Sequence, residues 1–239
     1  MIPKIIHYCW FGRGEMNALA KHCIDTWKKI LPDYELRLWN EDNFDVNSTL
    51  WTQQAYKEKK YAFVADYVRL HALYTEGGIY MDTDVEVLKS FDRFLDCPAF
   101  AGFESETMIQ TGLIGSEKAS FWSEKMFSYY KNRPYLRPDG TPEPITNVTI
   151  ISEMMNKYGF LPNNTFQTCN GILHLYPTDF FCPKDQLTLK VHTTENTYCI
   201  HHFDGSWFSP AVKWKKKLRS LLPTGLYLYL RKHFIEKND

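Results

Sequence analysis

Tyr61-Ala-Phe-Val-Ala-Asp-Tyr-Val-Arg-Leu-His-Ala-Leu-Tyr-Thr-Glu-Gly-Gly-Ile-Tyr-Met-Asp-Thr-Asp-Val-Glu86 is the stretch on which the reading of this chain turns. Tyr61 to Glu76 contains no Gly or Pro and is apolar over much of a helical circumference, which predicts a largely buried helix. Gly77-Gly78 supplies the left-handed exit that helices often use. Ile79-Tyr80-Met81 then reads as a strand, Asp82-Thr83-Asp84 as an acidic turn, and Val85-Glu86-Val87 as a second strand. Strands alternating with helices argue for an open α/β sheet, where ligands sit at the carboxyl ends of strands.

Two carboxylates one residue apart at a strand end can grip a divalent cation. A nucleotide sugar needs one, because its diphosphate departs with extra negative charge that Mg²⁺ or Mn²⁺ stabilises. Taken alone the pattern is weak: 14 Asp in 239 residues give about 0.8 Asp-x-Asp matches by chance, and a solvated turn reads equally well. The flanking Ile79, Met81, Val85 and Val87 change that balance, since acids between buried strands must be hydrated, paired or metal-bound. Upstream, Asp66 and Arg69 are three apart and share a helix face. On a surface such a pair is worth under about 1 kcal/mol; on so apolar a helix it is expected to point at something polar.

Working outward, Lys4 to Trp10 predicts a buried first strand that breaks at Gly12 and Gly14. Asn17 to Leu31 has helical spacing and stops at Pro32, and Tyr34 to Trp39 alternates as a second strand. Trp51 to Lys60 reads as a polar helix. Downstream, Ala99 to Phe103 and Met108 to Gly115 read as strands, and Phe121 to Lys131 and Thr149 to Tyr158 as helices. Ile172 to Tyr176 and Thr197 to Phe203 read as late strands. From Lys213 the chain turns basic, Leu-rich and aromatic, which divides it into a domain over 1–210 and a helical tail over 211–239. The tail suits either an anionic membrane surface or a helix packed on the domain.

The bulk numbers exclude some classes. Lys+Arg and Asp+Glu are 28 each, so no overall field favours nucleic acid. The six cysteines lack metal-finger spacing and read as reduced, buried thiols. The sequence shows neither a signal peptide nor a run of about 20 apolar residues, so the expected location is cytoplasmic, or peripheral on the inner face of a bacterial membrane.

The run from Tyr61 to Glu86 closely resembles the signature of family 32 glycosyltransferases, the proteins with a DXD sugar-binding region. That family includes fungal mannosyltransferases and bacterial capsule and lipopolysaccharide transferases. The run also resembles the catalytic core of the clostridial glucosylating toxins. The opening Ile2-Pro-Lys-Ile-Ile-His-Tyr-Cys-Trp-Phe-Gly12 and the late His201-His-Phe-Asp-Gly-Ser-Trp207 fit the same family in the same order. The resemblance spans residues 1 to about 210. It implies a GT-A type α/β fold, a Rossmann-like mixed sheet flanked by helices. It also implies a metal-dependent, retaining hexosyl transfer from a nucleotide sugar, with UDP favoured, to a saccharide or lipid-linked acceptor in surface polysaccharide synthesis.

The resemblance also implies roles. Asp84 would ligate Mn²⁺ or Mg²⁺, and Asp82 would contact the ribose and, through water, the metal. Asp66 and Arg69 would hold the donor sugar hydroxyls and the phosphate side. Tyr80 would lie beside the nucleotide and Trp10 would stack on the base, with His7 and Thr83 grouped in the same nucleotide-sugar site. His201 and His202 would face opposite ways on a strand, so only one reaches the metal; the spacing to Gly205 selects His202. Ser206 and Trp207 would close over the diphosphate. Gln110-Thr111-Gly112 and Thr146-Asn147 would line the sugar or acceptor side. No nucleophile for a covalent intermediate stands out in these motifs, so a front-face mechanism is expected, in which the leaving phosphate takes the acceptor proton. A nucleotidyl- or phosphotransferase would also use paired acids, but no Gly-x-x-x-x-Gly-Lys-Ser/Thr loop is present. A catalytically silent carbohydrate-binding protein on the same fold is the remaining alternative.

Overall fold

In the computed structural model, residues 1–142, 145–186 and 188–205 are described. Ile5–Cys9 (β1) and Glu35–Trp39 (β2) pair in parallel, connected by Ala18–Ile30 (α1). Asn17 caps α1 by accepting the Ala20 N–H at 2.8 Å, and the helix ends before Pro32, which cannot continue it. Leu50–Lys57 (α2) leads into Tyr61–Thr75 (α3), which is buried over most of its length. From α3 the chain passes through Gly77 and Gly78, at φ 71° and 113°, into Gly78–Met81 (β3). A Cβ at Gly78 would stand 2.7 Å from the Ile5 carbonyl oxygen, so glycine is what lets β3 lie against β1.

After Val85–Val87 (β4) come Ala99–Phe103 (β5) and Ile109–Ser116 (β6). Phe121–Ser128 (α4) and Asn147–Met155 (α5) follow, then Gln167–Cys169 (β7), Leu173–Tyr176 (β8), Thr178–Phe181 (α6) and Cys199–His201 (β9). Seven strands form one sheet in the order β2-β1-β3-β6-β5-β8-β7, and β4 and β9 form a separate pair. β1 runs parallel to β3, and β6 runs antiparallel to both β3 and β5. The carboxyl ends of β1, β3 and β5 therefore share one edge of the sheet. One core, with Trp51, Leu73, Trp122 and Ile151, fills the side of α2 to α5. The other, with Trp27, Leu113, Phe94 and Phe181, fills the side of α1 and α6.

This is the α/β mixed sheet flanked by helices that the sequence predicts. The differences are local. β7 and α6 fall where no element is expected, being too short to show a period. The strand expected over 197–203 is only Cys199–His201. The helix expected from Thr149 begins at Asn147, because Thr146 supplies the cap. All six cysteines are free and buried. Among the described residues no helix is long and apolar enough to cross a membrane. The 211–239 segment, Ser206 and Trp207 lie outside the described residues.

Candidate active site

The acidic turn is built by its neighbours. The Asp82 N–H donates to the Gly112 carbonyl at 2.8 Å, carrying the β3–β6 ladder one residue further. The Val85 N–H closes the turn onto the Asp82 carbonyl at 3.1 Å. Behind it, the buried Trp27 indole donates to the Val85 carbonyl at 2.6 Å and fixes where β4 departs. β4 pairs with β9 so that Val85 stands opposite His201. That register puts His201 Nε2 at 3.3 Å from Asp84 Oδ1 and 3.9 Å from Asp82 Oδ2. Gly112 makes the approach possible, because a Cβ there would stand 2.7 Å from the His201 ring.

Asp66 and Arg69 form a buried pair, 9% and 5% exposed, so the surface ion-pair reading does not apply. Arg69 Nη2 lies 3.0 Å from Asp66 Oδ1 and 3.3 Å from Asp82 Oδ1. Its Nη1 donates to the Thr111 carbonyl, and the guanidinium packs 4.5 Å from the Tyr80 ring centre. The Tyr80 hydroxyl donates to Asp82 Oδ1 at 2.8 Å. Asn147 ties α5 to α3: its Nδ2 donates to the Asp66 carbonyl at 2.9 Å, and its Oδ1 accepts from the Tyr130 hydroxyl at 2.7 Å.

Burial penalises every charge here, and the neighbours decide the outcome. Burial lifts the Asp66 carboxyl to about 6, although Arg69 pulls it down. Burial would lift Asp84 too. However, the charge and hydrogen bond of His201, with the Asp204 N–H on Oδ2 at 2.8 Å, bring it down to about 2. Burial would lower His201, yet Asp84 holds it well above the ordinary imidazole range.

Asp82, Asp84 and His201 each offer one ligand atom, and these atoms all lie within 4.8 Å of one another. Carboxylate oxygens with an imidazole nitrogen suit Mn²⁺, and the carboxylates alone suit Mg²⁺. The three line a cavity of about 560 Å³ together with Trp10, Tyr80 and Thr83, while Asp66 and Arg69 form part of its wall. Thr111, Thr146 and Asn147 also line it; Gln110 is fully buried in the sheet. Trp10 is half-buried, its indole donating to the Gly14 carbonyl at 2.6 Å, which leaves its ring on the cavity wall.

Two expectations are corrected by the geometry. His202 does not face the acids: its Nε2 pairs with Glu86 at 2.8 Å while its N–H donates to the Asp84 carbonyl. The spacing to Gly205 selected the wrong histidine because inward facing is set by the β4–β9 register. Alternation from the buried Cys199 would have selected His201. His7 is not in the cavity lining either. It is fully buried within β1, its Nδ1 accepting from the Trp39 indole at 3.1 Å and its Nε2 donating to the Gly77 carbonyl at 2.8 Å. Sequence reasoning missed Asp204, which lay inside a quoted motif, and Glu104, which belongs to none; both line the cavity.

The site is thus an acidic turn at the carboxyl edge of a mixed α/β sheet, backed by a buried Asp–Arg pair. Residues 18–101 match the family model described as "Glycosyltransferase sugar-binding region containing DXD motif". The chain thus carries a match to that region, and parts of it are similar to fungal mannosyltransferases. Inositol phosphoceramide mannosyltransferase 3 of Schizosaccharomyces pombe is 34% identical over 49% of this chain and 34% of its own length. Mannosyl phosphorylinositol ceramide synthase CSH1 of Saccharomyces cerevisiae is 28% identical over 92% of this chain and 56% of its own. Among solved structures, the PaToxG glycosyltransferase aligns at a TM-score of 0.49 and 18% identity, over 65% of this chain and 69% of that one. The chain spans about a third to just over a half of the length of these two fungal relatives.

Proposed function

We propose that the chain is a metal-dependent, retaining glycosyltransferase that moves a hexose from a nucleotide sugar to a saccharide or lipid-linked acceptor. The observation that carries this reading is the convergence of Asp82, Asp84 and His201 in the cavity beside the Asp66–Arg69 pair. Asp82, Asp84 and His201 would hold Mn²⁺ or Mg²⁺, which when bound neutralises charge on a diphosphate leaving group. Arg69 adds a fixed positive charge that cannot be titrated away, and Tyr80 and the Thr111 carbonyl hold it in place. Asp66, anchored through Asn147, offers carboxylate oxygens to sugar hydroxyls. The Trp10 ring offers a face to a base. Orientation within a walled cavity is then what the protein supplies, and the leaving phosphate takes the acceptor proton.

The names of the fungal relatives put mannose alongside the UDP-linked hexoses expected from the sequence. A role on a lipid-linked acceptor at the cytoplasmic face of a membrane, in surface polysaccharide synthesis, fits the basic composition after Lys213. The test is slow hydrolysis of UDP-glucose, UDP-galactose, UDP-N-acetylglucosamine and GDP-mannose with and without Mn²⁺. One of these should release free sugar and nucleoside diphosphate only when Mn²⁺ is present. Release of pyrophosphate would mark a nucleotidyltransferase, and no turnover with intact binding would mark a silent carbohydrate-binding protein.

A further inference from the structure

The cavity runs along the carboxyl edge of the sheet, and its three anchor points follow strand order. Trp10 follows β1, Asp82 and Asp84 follow β3, and Glu104 follows β5. β3 neighbours β1 directly, whereas β6 stands between β3 and β5. At about 4.8 Å per strand, the backbone carrying Glu104 is about 10 Å from the acidic turn, on the side away from Trp10. A nucleoside lying toward Trp10 with its diphosphate at Asp82 and Asp84 would therefore leave the sugar and its attacking partner on the Glu104 side.

Glu104 suits that place. Its backbone N–H is bound to the Met108 carbonyl at 2.7 Å, which closes the β5–β6 turn and fixes the side chain's root. Its Oε1 accepts from the Gln186 amide at 2.7 Å, a neutral donor, and the residue lines the cavity. Among the described residues its carboxylate makes no ion pair, unlike Asp66, Asp82 and Asp84. Burial raises its pKa. A carboxylate oriented by an amide and not spent on a cation is a hydrogen-bond acceptor for a hydroxyl.

On the reading of the site as a glycosyltransferase, we infer that Glu104 is the acceptor-side residue, receiving a hydrogen bond from the attacking hydroxyl of a saccharide and so orienting it toward the donor sugar. It takes no part in holding the metal or the nucleotide. The attacking oxygen forms its bond to the anomeric carbon as the diphosphate oxygen departs, and that diphosphate takes the proton. Glu104 ends the step as it began, as a carboxylate.

The test uses the full chain with Glu104→Gln, an isostere that keeps a hydrogen-bonding group opposite Gln186, and Glu104→Ala. Unfolding midpoints establish that each variant is folded. For each protein, three quantities are read on whichever of UDP-glucose or GDP-mannose the wild type hydrolyses: nucleoside diphosphate binding with Mn²⁺, donor hydrolysis, and transfer to methyl α-mannoside or methyl β-galactoside. The expected result is unchanged nucleotide binding, hydrolysis within about threefold, and transfer down about 10–100-fold, the loss of one hydrogen bond to a charged group. Loss of nucleotide binding in the folded variants would overturn the inference by assigning Glu104 to the metal site. An equal fall in hydrolysis and transfer, or a covalent glycosyl adduct on Glu104 by mass spectrometry, would overturn it by making Glu104 a donor-side group or nucleophile. Wild-type protein that neither binds nor hydrolyses any donor with Mn²⁺ would remove the glycosyltransferase reading itself.

Discussion

Two buried histidines sit on opposite ends of the same physical argument. His7, at the β1–β3 seam, hydrogen-bonds neutral partners, the Trp39 indole on Nδ1 and the Gly77 carbonyl on Nε2, while Arg37 and Glu35 act on it in opposite directions. Burial dominates there and pushes its pKa down to about 4. His201, on β9, is as deeply enclosed, yet Asp84 at 3.3 Å holds it up well above the ordinary range. Burial sets the cost of charge, and the neighbours set whether the cost is met. The first histidine is a neutral strut of the sheet, and the second belongs to the acidic turn.

The largest expected effect comes from dismantling the charged end of this comparison. Asp84→Asn keeps the shape of the turn but removes the charge facing His201 and one ligand of the candidate metal set. Mn²⁺-dependent donor hydrolysis is expected to fall about 10²–10³-fold. A variant hydrolysing donor at near wild-type rate would remove the acidic turn from the chemistry.

Next comes the neutral end. His7 has a folded pKa of about 4 against an ordinary value of 6.5, so the unfolded chain binds the extra proton between those values. Its contribution is therefore complete above pH 6.5 and is lost as pH falls toward 4. Between pH 7 and 4.5 the loss is about 2–3 kcal/mol. His7→Gln cannot titrate, so its urea midpoint should fall by correspondingly less over that interval, whatever its stability at pH 7. Equal pH slopes in the two proteins would mean that His7 is not held neutral.

A smaller effect separates the adjacent histidines. His201→Ala is expected to weaken Mn²⁺ binding about 10–100-fold, comparable to losing a group that orients or completes a metal site. His202→Ala, which removes only the Glu86 contact, should stay within about threefold. Titration calorimetry on the two variants decides it, and the reverse ranking would restore the spacing-based assignment.

The same contrast explains what was legible in the sequence. The helix, Gly-Gly exit, strand and acidic turn from Tyr61 to Glu86 are short-range features, and the periods and punctuation of the chain mark them directly. The Asp66–Arg69 pair was legible for the same reason, as two charges on one apolar face. Choosing His201 over His202 follows from the pairing of β4 with β9, segments more than a hundred residues apart, and alternation from Cys199 was the local sign of it. Glu104 escaped because its meaning lies in the sheet order β3-β6-β5, which only the folded topology supplies. His7 was drawn into the site by belonging to a motif. The cavity takes in the end of β1 from Cys9 onward, and His7, two residues earlier, lies in the seam with β3.

The smallest effect concerns Asp66, whose carboxyl lies between the two histidines in character. It is buried like His7 and paired like His201, and the balance leaves it at about 6, with burial outweighing Arg69. If its carboxylate accepts donor hydroxyls, kcat/KM should decline as pH falls through about 6, approaching tenfold per unit on the acid side. Asp84, held down near 2, contributes nothing to that limb. Proton competition at His201 could produce a similar decline, but it would move to lower pH as Mn²⁺ is raised, since metal and proton would compete for one nitrogen. A limb that stays near pH 6 at saturating Mn²⁺ and disappears in Asp66→Asn belongs to Asp66. A limb that slides with Mn²⁺ concentration belongs to His201 and would leave Asp66 a purely structural partner of Arg69.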